Sequence, residues 1–137
     1  EKEKLQKQAE NLQIIDKVRF LGQLNRDELL EHYEDSDLFV LPTREDCFAL
    51  VILEAMCSGL PIVCSKYADG AYDLIENGKN GFIVDPYDTK CFASYIEKIL
   101  SNGALCEMMK KESAEIVEKF RFVNIAKGYM EAIEECI

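Results

Sequence analysis

Histidine occurs once in the 137 residues, tryptophan not at all and proline three times, and each scarcity excludes something. A lone His32 and six cysteines without a C-x-x-C pair do not supply closely spaced zinc ligands. No apolar run approaches the roughly 20 residues that a membrane-spanning helix needs. The opening E-K-E-K-L-Q-K-Q is charged and has no apolar signal core. Basic residues are outnumbered, 16 Lys and Arg against 26 Asp and Glu, and the net charge of −10 gives no footprint for nucleic acid or an anionic lipid surface. Internal repeats, low-complexity tracts and flexible linkers are also absent. With 48% apolar residues the chain can fill one core, so residues 1–137 are expected to form a single domain, soluble and cytoplasmic.

What the chain does contain is concentrated between Leu38 and Ser65, L-F-V-L-P-T-R-E-D-C-F-A-L-V-I-L-E-A-M-C-S-G-L-P-I-V-C-S. The apolar run Leu38–Leu41 stops at Pro42 and a short polar loop follows. An apolar segment carrying Glu54 then runs to Ser58-Gly59, and Pro61 opens the β-branched pair Ile62-Val63. The pattern predicts strand, loop, helix and strand, the unit of a parallel α/β sheet. Ligands of such sheets bind outside the carboxyl ends of the strands, where residues 43–50 fall. The first N–H groups of a helix lack intrahelical partners and carry the positive end of its dipole, so Ala49, Leu50 and Val51 are expected to offer donors to a phosphate. Asp46 stands at the mouth, and Glu54, eight residues on, is expected a little over two turns along the same helix. A carboxylate accepts two hydroxyls well, so the two acids suit a sugar and a ribose with a diphosphate between them.

Around this unit, Leu5, Ala9, Leu12 and Ile15 recur at helical spacing, and Val18–Leu21 predicts a first strand ending at Gly22. Asn25 and Glu28 form a capping box, with Leu24 and Leu29 as its hydrophobic staple, for a helix from Arg26 to about Glu34. Downstream lie a loop at 66–70, a short helix at 71–76, a turn at Gly78–Gly81 and a strand at 82–84. Asp88 or Thr89 caps a helix that runs to Leu100 and stops at Asn102-Gly103, and helices at 104–119 and 123–136 close the chain.

The motif Pro42-Thr43, Asp46-Cys47-Phe48-Ala49, Leu50-Val51-Ile52-Leu53, Glu54-Ala55-Met56 and Gly59-Leu60-Pro61-Ile62-Val63 resembles the donor-binding, C-terminal half of retaining glycosyltransferases with the GT-B fold, glycosyltransferase group 1. Val18-Arg19-Phe20-Leu21-Gly22, Asp37–Pro42 and Gly78–Pro86 look like further segments of that pattern, so the likeness extends from about residue 5 to the end. It implies a Rossmann-like parallel sheet flanked by helices and hexose transfer from a nucleotide diphosphate sugar to a hydroxyl acceptor, commonly for a cell-surface glycan. By the same resemblance Glu54 holds ribose, Asp46 the hexose hydroxyls and the amides of Ala49, Leu50 and Val51 the phosphates, with no covalent protein nucleophile, no cofactor and no metal. The family has an earlier strand and an acceptor-binding domain before this region. A helix-first chain therefore reads as an excised or split piece of a longer enzyme, the isolated domain inactive and any peripheral attachment of the parent at the inner membrane face left open.

Three departures stand out: Asp46 replaces the family's Glu, Cys47 and Ala49 replace glycines, and loop 66–73 is one residue longer. A second register makes Glu45 the hexose acid; Asp46 is preferred because it keeps Phe48 and Glu54 in their family places. Other classes stay open, a nucleotide-binding scaffold without turnover or one subunit of a split transferase. Several residues carry two readings. Glu54, among Ile52, Leu53, Ala55 and Met56, is a solvated helix acid or one aimed into a cleft, and Asp46 is equally suited to capping the helix. Phe48 reads as core. Cys47, beside a helix start that can lower a thiol pKa, reads as a small replacement for glycine, and the other cysteines as reduced core residues. His32 is expected to be exposed. Lys66 and Tyr67 are loop residues or contacts to a phosphate or base, and Arg19 lies near the nucleobase by resemblance alone.

Overall fold

The computed structural model describes residues 1–135, so Cys136, assigned above to the core, lies outside the described residues. The chain divides into two compact units, Glu1–Leu30 and Glu31–Ile137. In the first, α1 (Lys2–Asn11) buries Ala9 and leaves Leu5 and Leu12 exposed. A 3-10 turn at Ile15–Lys17 takes up the N–H of Val18. The strand expected at Val18–Leu21 does not form: Val18 is extended (φ −117°, ψ 125°), yet no ladder includes this segment. A strand exists only where its N–H and C=O groups find a partner, and an apolar, β-branched run does not supply one.

Helix α2 (Arg26–Glu34) straddles the boundary between the units and begins as its capping box predicts. The N–H of Glu28 donates to Asn25 Oδ1 at 3.0 Å and the N–H of Asn25 to Glu28 Oε2 at 2.9 Å. The second unit is an α/β layer. Strands β1 (Phe39–Leu41), β2 (Ile62–Ser65) and β3 (Gly81–Val84) form a parallel sheet in the order β1-β2-β3, with Val40 opposite Val63 and Val63 opposite Phe82. The central β2 is buried throughout, which fits its unbroken apolar sequence. Between strands run α3 (Leu50–Cys57) and the short α4 (Ala71–Leu74); α5 (Thr89–Leu100), α6 (Gly103–Val117) and α7 (Phe122–Glu135) follow.

Helix α5 packs on β2 and β3, and Val63, Phe82, Val84, Phe92, Ile99, Cys106 and Met109 make a continuous core. Each large apolar side chain so buried contributes about 1.5–3 kcal/mol. Helix α3 buries Ile52, Ala55 and Met56 and packs on β2 and α6. Asp88 caps α5 by accepting from the N–H of Cys91 at 3.0 Å. Helix α5 ends at Leu100 as expected before Asn102-Gly103, and Asn102 also caps α6 by accepting from the N–H of Leu105 at 3.1 Å, a role that suits its side-chain oxygen. Cys64 and Cys106 are buried as expected, Cys91 is half-buried, and Cys57 is exposed at the end of α3, contrary to its core reading. Burial pushes the Cys64 thiol up to about 12. No residue of α7 is buried.

Candidate functional site

Two loops meet at the carboxyl ends of β1 and β2, as a parallel sheet dictates. The N–H of Asp46 donates to the carbonyl of Tyr67 at 3.0 Å, and the N–H of Asp69 to the carbonyl of Asp46 at 2.9 Å, so the chain at Asp46 runs parallel to Ala68. Thr43 Oγ1 donates to the carbonyl of Glu45 at 3.0 Å and tightens the first loop, while the N–H of Tyr67 donates to the buried Ser65 Oγ at 3.1 Å and tightens the second. Gly70 lies directly on the backbone of Phe48: a Cβ there would stand 2.0 Å from the Phe48 carbonyl oxygen. Between the loops is an open cleft of about 340 Å³ lined by Arg44, Glu45, Asp46, Cys47, Lys66, Tyr67 and Asp69.

Asp46 folds back on its own loop. Its Oδ1 accepts from the N–H of Ala49 at 2.6 Å and from that of Phe48 at 3.1 Å. Ala49 is buried in the left-handed region (φ 56°, ψ 60°), and α3 begins only after it. The expectation that Asp46 and Glu54 lie two turns apart on one helix is therefore corrected: a left-handed residue cannot sit inside a right-handed helix, and Glu54 follows the first helical residue, Leu50, by about one turn. The amide of Ala49 is likewise occupied by Asp46 Oδ1. Among the described residues the N–H groups of Leu50 and Val51 have no acceptor, so the positive helix end faces outward through these two donors.

Glu54 is exposed on α3, where its Oε2 accepts from Tyr33 Oη at 3.3 Å. The Tyr33 ring is buried and stands edge-on to Phe39 with 5.9 Å between ring centroids. Burial, then the adjacent Glu54 carboxylate, pushes the phenol up to about 12. Glu54 does not line the cleft that holds Glu45, Asp46 and Cys47. Phe48, expected in the core, is 40% exposed, because the Asp46 turn and the contact with Gly70 fix its backbone and leave the ring outside. Leu50 is exposed and Val51 half-buried.

Cations are few here. Lys66 Nζ is 2.7 Å from Asp85 Oδ2 and 5.1 Å from the centroid of the Tyr67 ring. That pairing raises the lysine's pKa and lowers the aspartate's. Tyr67 stands edge-on to Tyr87 at 5.8 Å. Arg44 makes no ion pair among the described residues. His32 is half-buried on α2 rather than exposed. No group of three or more His, Cys, Asp or Glu side chains among the described residues is placed to hold a metal ion. The sequence reading missed Tyr33, Arg44 and Asp69. Adjacency to Asp46 was a usable signal for Arg44, whereas nothing local links Tyr33 to Glu54.

The family model for glycosyl transferases group 1 matches residues 1–116. The sulfoquinovosyl transferase SQD2 of Arabidopsis thaliana is 36% identical over 74% of this chain and 20% of its own length. The D-inositol 3-phosphate glycosyltransferase of Corynebacterium urealyticum is 30% identical over 93% of this chain and 30% of its own. The chain thus spans less than a third of either relative. Among solved structures, Anabaena HepE in complex with UDP superposes with a TM-score of 0.80 at 28% identity, covering 97% of this chain and 36% of that one. The C-terminal domain of a group 1 glycosyl transferase from Francisella tularensis superposes at 0.78 and 22% identity, covering 86% of this chain and 60% of that one, a likeness of fold.

Proposed function

The chain belongs to the group 1 glycosyl transferases, and from that membership we propose that it is the donor-binding half of a retaining enzyme that moves a hexose from a nucleotide diphosphate sugar to a hydroxyl acceptor. The observation that carries the reading is the start of α3, where one acid, two unbonded amides and a second acid follow within nine residues, Asp46 to Glu54. In this proposal Glu54 holds the ribose hydroxyls and the N–H groups of Leu50 and Val51 hold the diphosphate. The second oxygen of Asp46 accepts from the hexose, with Cys47 and Phe48 at its side. Ala49 offers its amide only if the Asp46 carboxylate swings away. Glu45 faces the same cleft and is the alternative hexose acid.

Catalysis then consists of holding the anomeric carbon near the acceptor and stabilising charge on the departing diphosphate, with no covalent protein intermediate and no metal. The acceptor is bound by an N-terminal domain of the same parent or a partner chain, and the product is a cell-surface glycan. A second reading, a nucleotide-binding scaffold or one subunit of a split transferase, is favoured by one observation: Asp46 itself occupies an amide that the donor would use.

Ligand-observed NMR with UDP, GDP, ADP and their hexose conjugates tests the proposal. Selective binding of one nucleotide, strengthened by its hexose and weakened by Glu54→Gln by about 1.5–3 kcal/mol, is expected. Binding of bare nucleotide with no gain from any hexose supports the scaffold. No binding by any probe overturns both.

A further inference from the structure

We infer that Tyr33 is a positioning residue for the nucleotide site: its hydroxyl fixes the Glu54 carboxylate so that one oxygen is held and the other is presented to a ribose hydroxyl. The inference rests on the assignment of Glu54 to ribose made above and adds a residue from a different element, 21 positions earlier in the chain.

Tyr33 lies on α2 and Glu54 on α3, and the bond from Oη to Oε2 is 3.3 Å. It is the only hydrogen bond that the Glu54 side chain makes among the described residues, and no Lys or Arg there pairs with it. An exposed glutamate has three freely rotating side-chain torsions, and ordering it on ligand binding costs conformational entropy. A donor already in place removes part of that cost. The tyrosine suits the task because its ring cannot wander: it is buried and edge-on to Phe39, itself in β1, so the hydroxyl is carried by the strand layer. A neutral phenol has one hydrogen bond to donate, and Glu54 accepts it. The Glu54 Oε1 has no protein partner among the described residues, which leaves it for a ligand hydroxyl. The raised phenol pKa follows from the same arrangement, since burial and the adjacent carboxylate both disfavour a tyrosinate.

A role through ribose is separable from a role in folding by removing the ribose hydroxyls. The probes are UDP, GDP and ADP, each beside its dideoxyribose counterpart, titrated into the full chain by ligand-observed NMR. For the nucleotide that binds, the wild-type chain should prefer ribose. Tyr33→Phe should weaken the ribonucleotide about three- to tenfold, the range for one ordinary hydrogen bond and suited to a contact as long as 3.3 Å, and leave the dideoxy form within twofold. Glu54→Ala, which leaves no acceptor, should abolish the preference, and adding Tyr33→Phe to it should weaken binding no further.

Equal weakening of both sugars by Tyr33→Phe, or additive losses in the double variant, overturns the positioning role and leaves Glu54 in place. A preference that survives Glu54→Ala overturns the ribose assignment and the inference with it, as does the absence of any binding. Should Tyr33→Phe not fold, the ring resonances of Tyr33 in the wild-type chain read the contact instead. Saturating ribonucleotide should shift them and the dideoxy form should not; a shift with neither, or an equal shift with both, overturns the role.

Discussion

The two ends of α3 solve the same geometric problem with different residues. At the carboxyl end Gly59 takes a left-handed conformation (φ 74°) and closes a Schellman turn, its N–H donating to Met56 at 2.9 Å and that of Leu60 to Ala55 at 3.1 Å. Leu60 is buried, and its carbonyl accepts from the buried Ser113 Oγ at 2.7 Å. At the amino end Ala49 takes the left-handed conformation (φ 56°) with a side chain that disfavours it, held by Asp46. Glycine has no such penalty; for alanine it is about 1–2 kcal/mol. Strain is thus kept where the loops meet the cleft and avoided where the helix meets the core, the distribution expected when one end binds a ligand and the other only packs.

The comparison can be broken most severely at Gly70. A Cβ placed 2.0 Å from the Phe48 carbonyl meets backbone that cannot rotate away. Gly70→Ala should therefore destabilise the chain by about 3 kcal/mol, the upper end for overpacking, in urea unfolding. A loss well under about 1 kcal/mol would mean that the two loops are not clamped together. Next comes Asp46, which satisfies two amides. Asp46→Ala should cost about 1–2 kcal/mol and Asp46→Asn, which keeps the accepting oxygen, about 0.5 kcal/mol. Equal losses would show that charge on the helix start, not the hydrogen bonds, holds the turn.

Exchanging the left-handed residues sharpens the contrast. Gly59→Ala should lose about 1–2 kcal/mol. Ala49→Gly should gain about 0.5 kcal/mol, since relief of strain exceeds the added freedom of the unfolded chain. A destabilised Ala49→Gly would place no strain at the site end. The last effect appears only in alkali. Tyr33 has its phenol raised from the ordinary 10.0 to about 12. Below pH 10 it is protonated in both states and its contribution is complete. Between 10 and 12 the unfolded chain releases the proton and the folded chain keeps it, so stability falls as pH rises. Tyr33→Phe should lose less stability than the wild-type chain across that interval in parallel denaturant titrations.

These contrasts also show what a sequence can reveal. The capping box at Asn25 and Glu28, the Asp88 cap and the β1-α3-β2 unit are local patterns whose physics lies within a few residues, and the structure has them where expected. The failures are non-local. Val18–Leu21 has strand composition without a pairing partner among the strands. Phe48 has core composition on a backbone that other contacts hold at the surface. An alanine by itself announces no left-handed torsion, and the glycine that the resembled pattern has at this position was the one sign of it; the expected helix instead extends through Ala49 and offers its amide to a phosphate. Glu54 was legible as an unusual acid in an apolar helix, but its partner Tyr33 comes from another element and is visible only once α2 and α3 are packed.

The central claim is that the amino end of α3 is the ligand end. An amide-resolved NMR titration of the full chain with UDP, GDP, ADP and their hexose conjugates tests it most directly. The account predicts that the nucleotide that binds shifts the amides of Leu50 and Val51 and leaves those of Gly59 and Leu60 unmoved. Shifts confined to the Gly59 end, or the same small shifts along the whole helix, would contradict it.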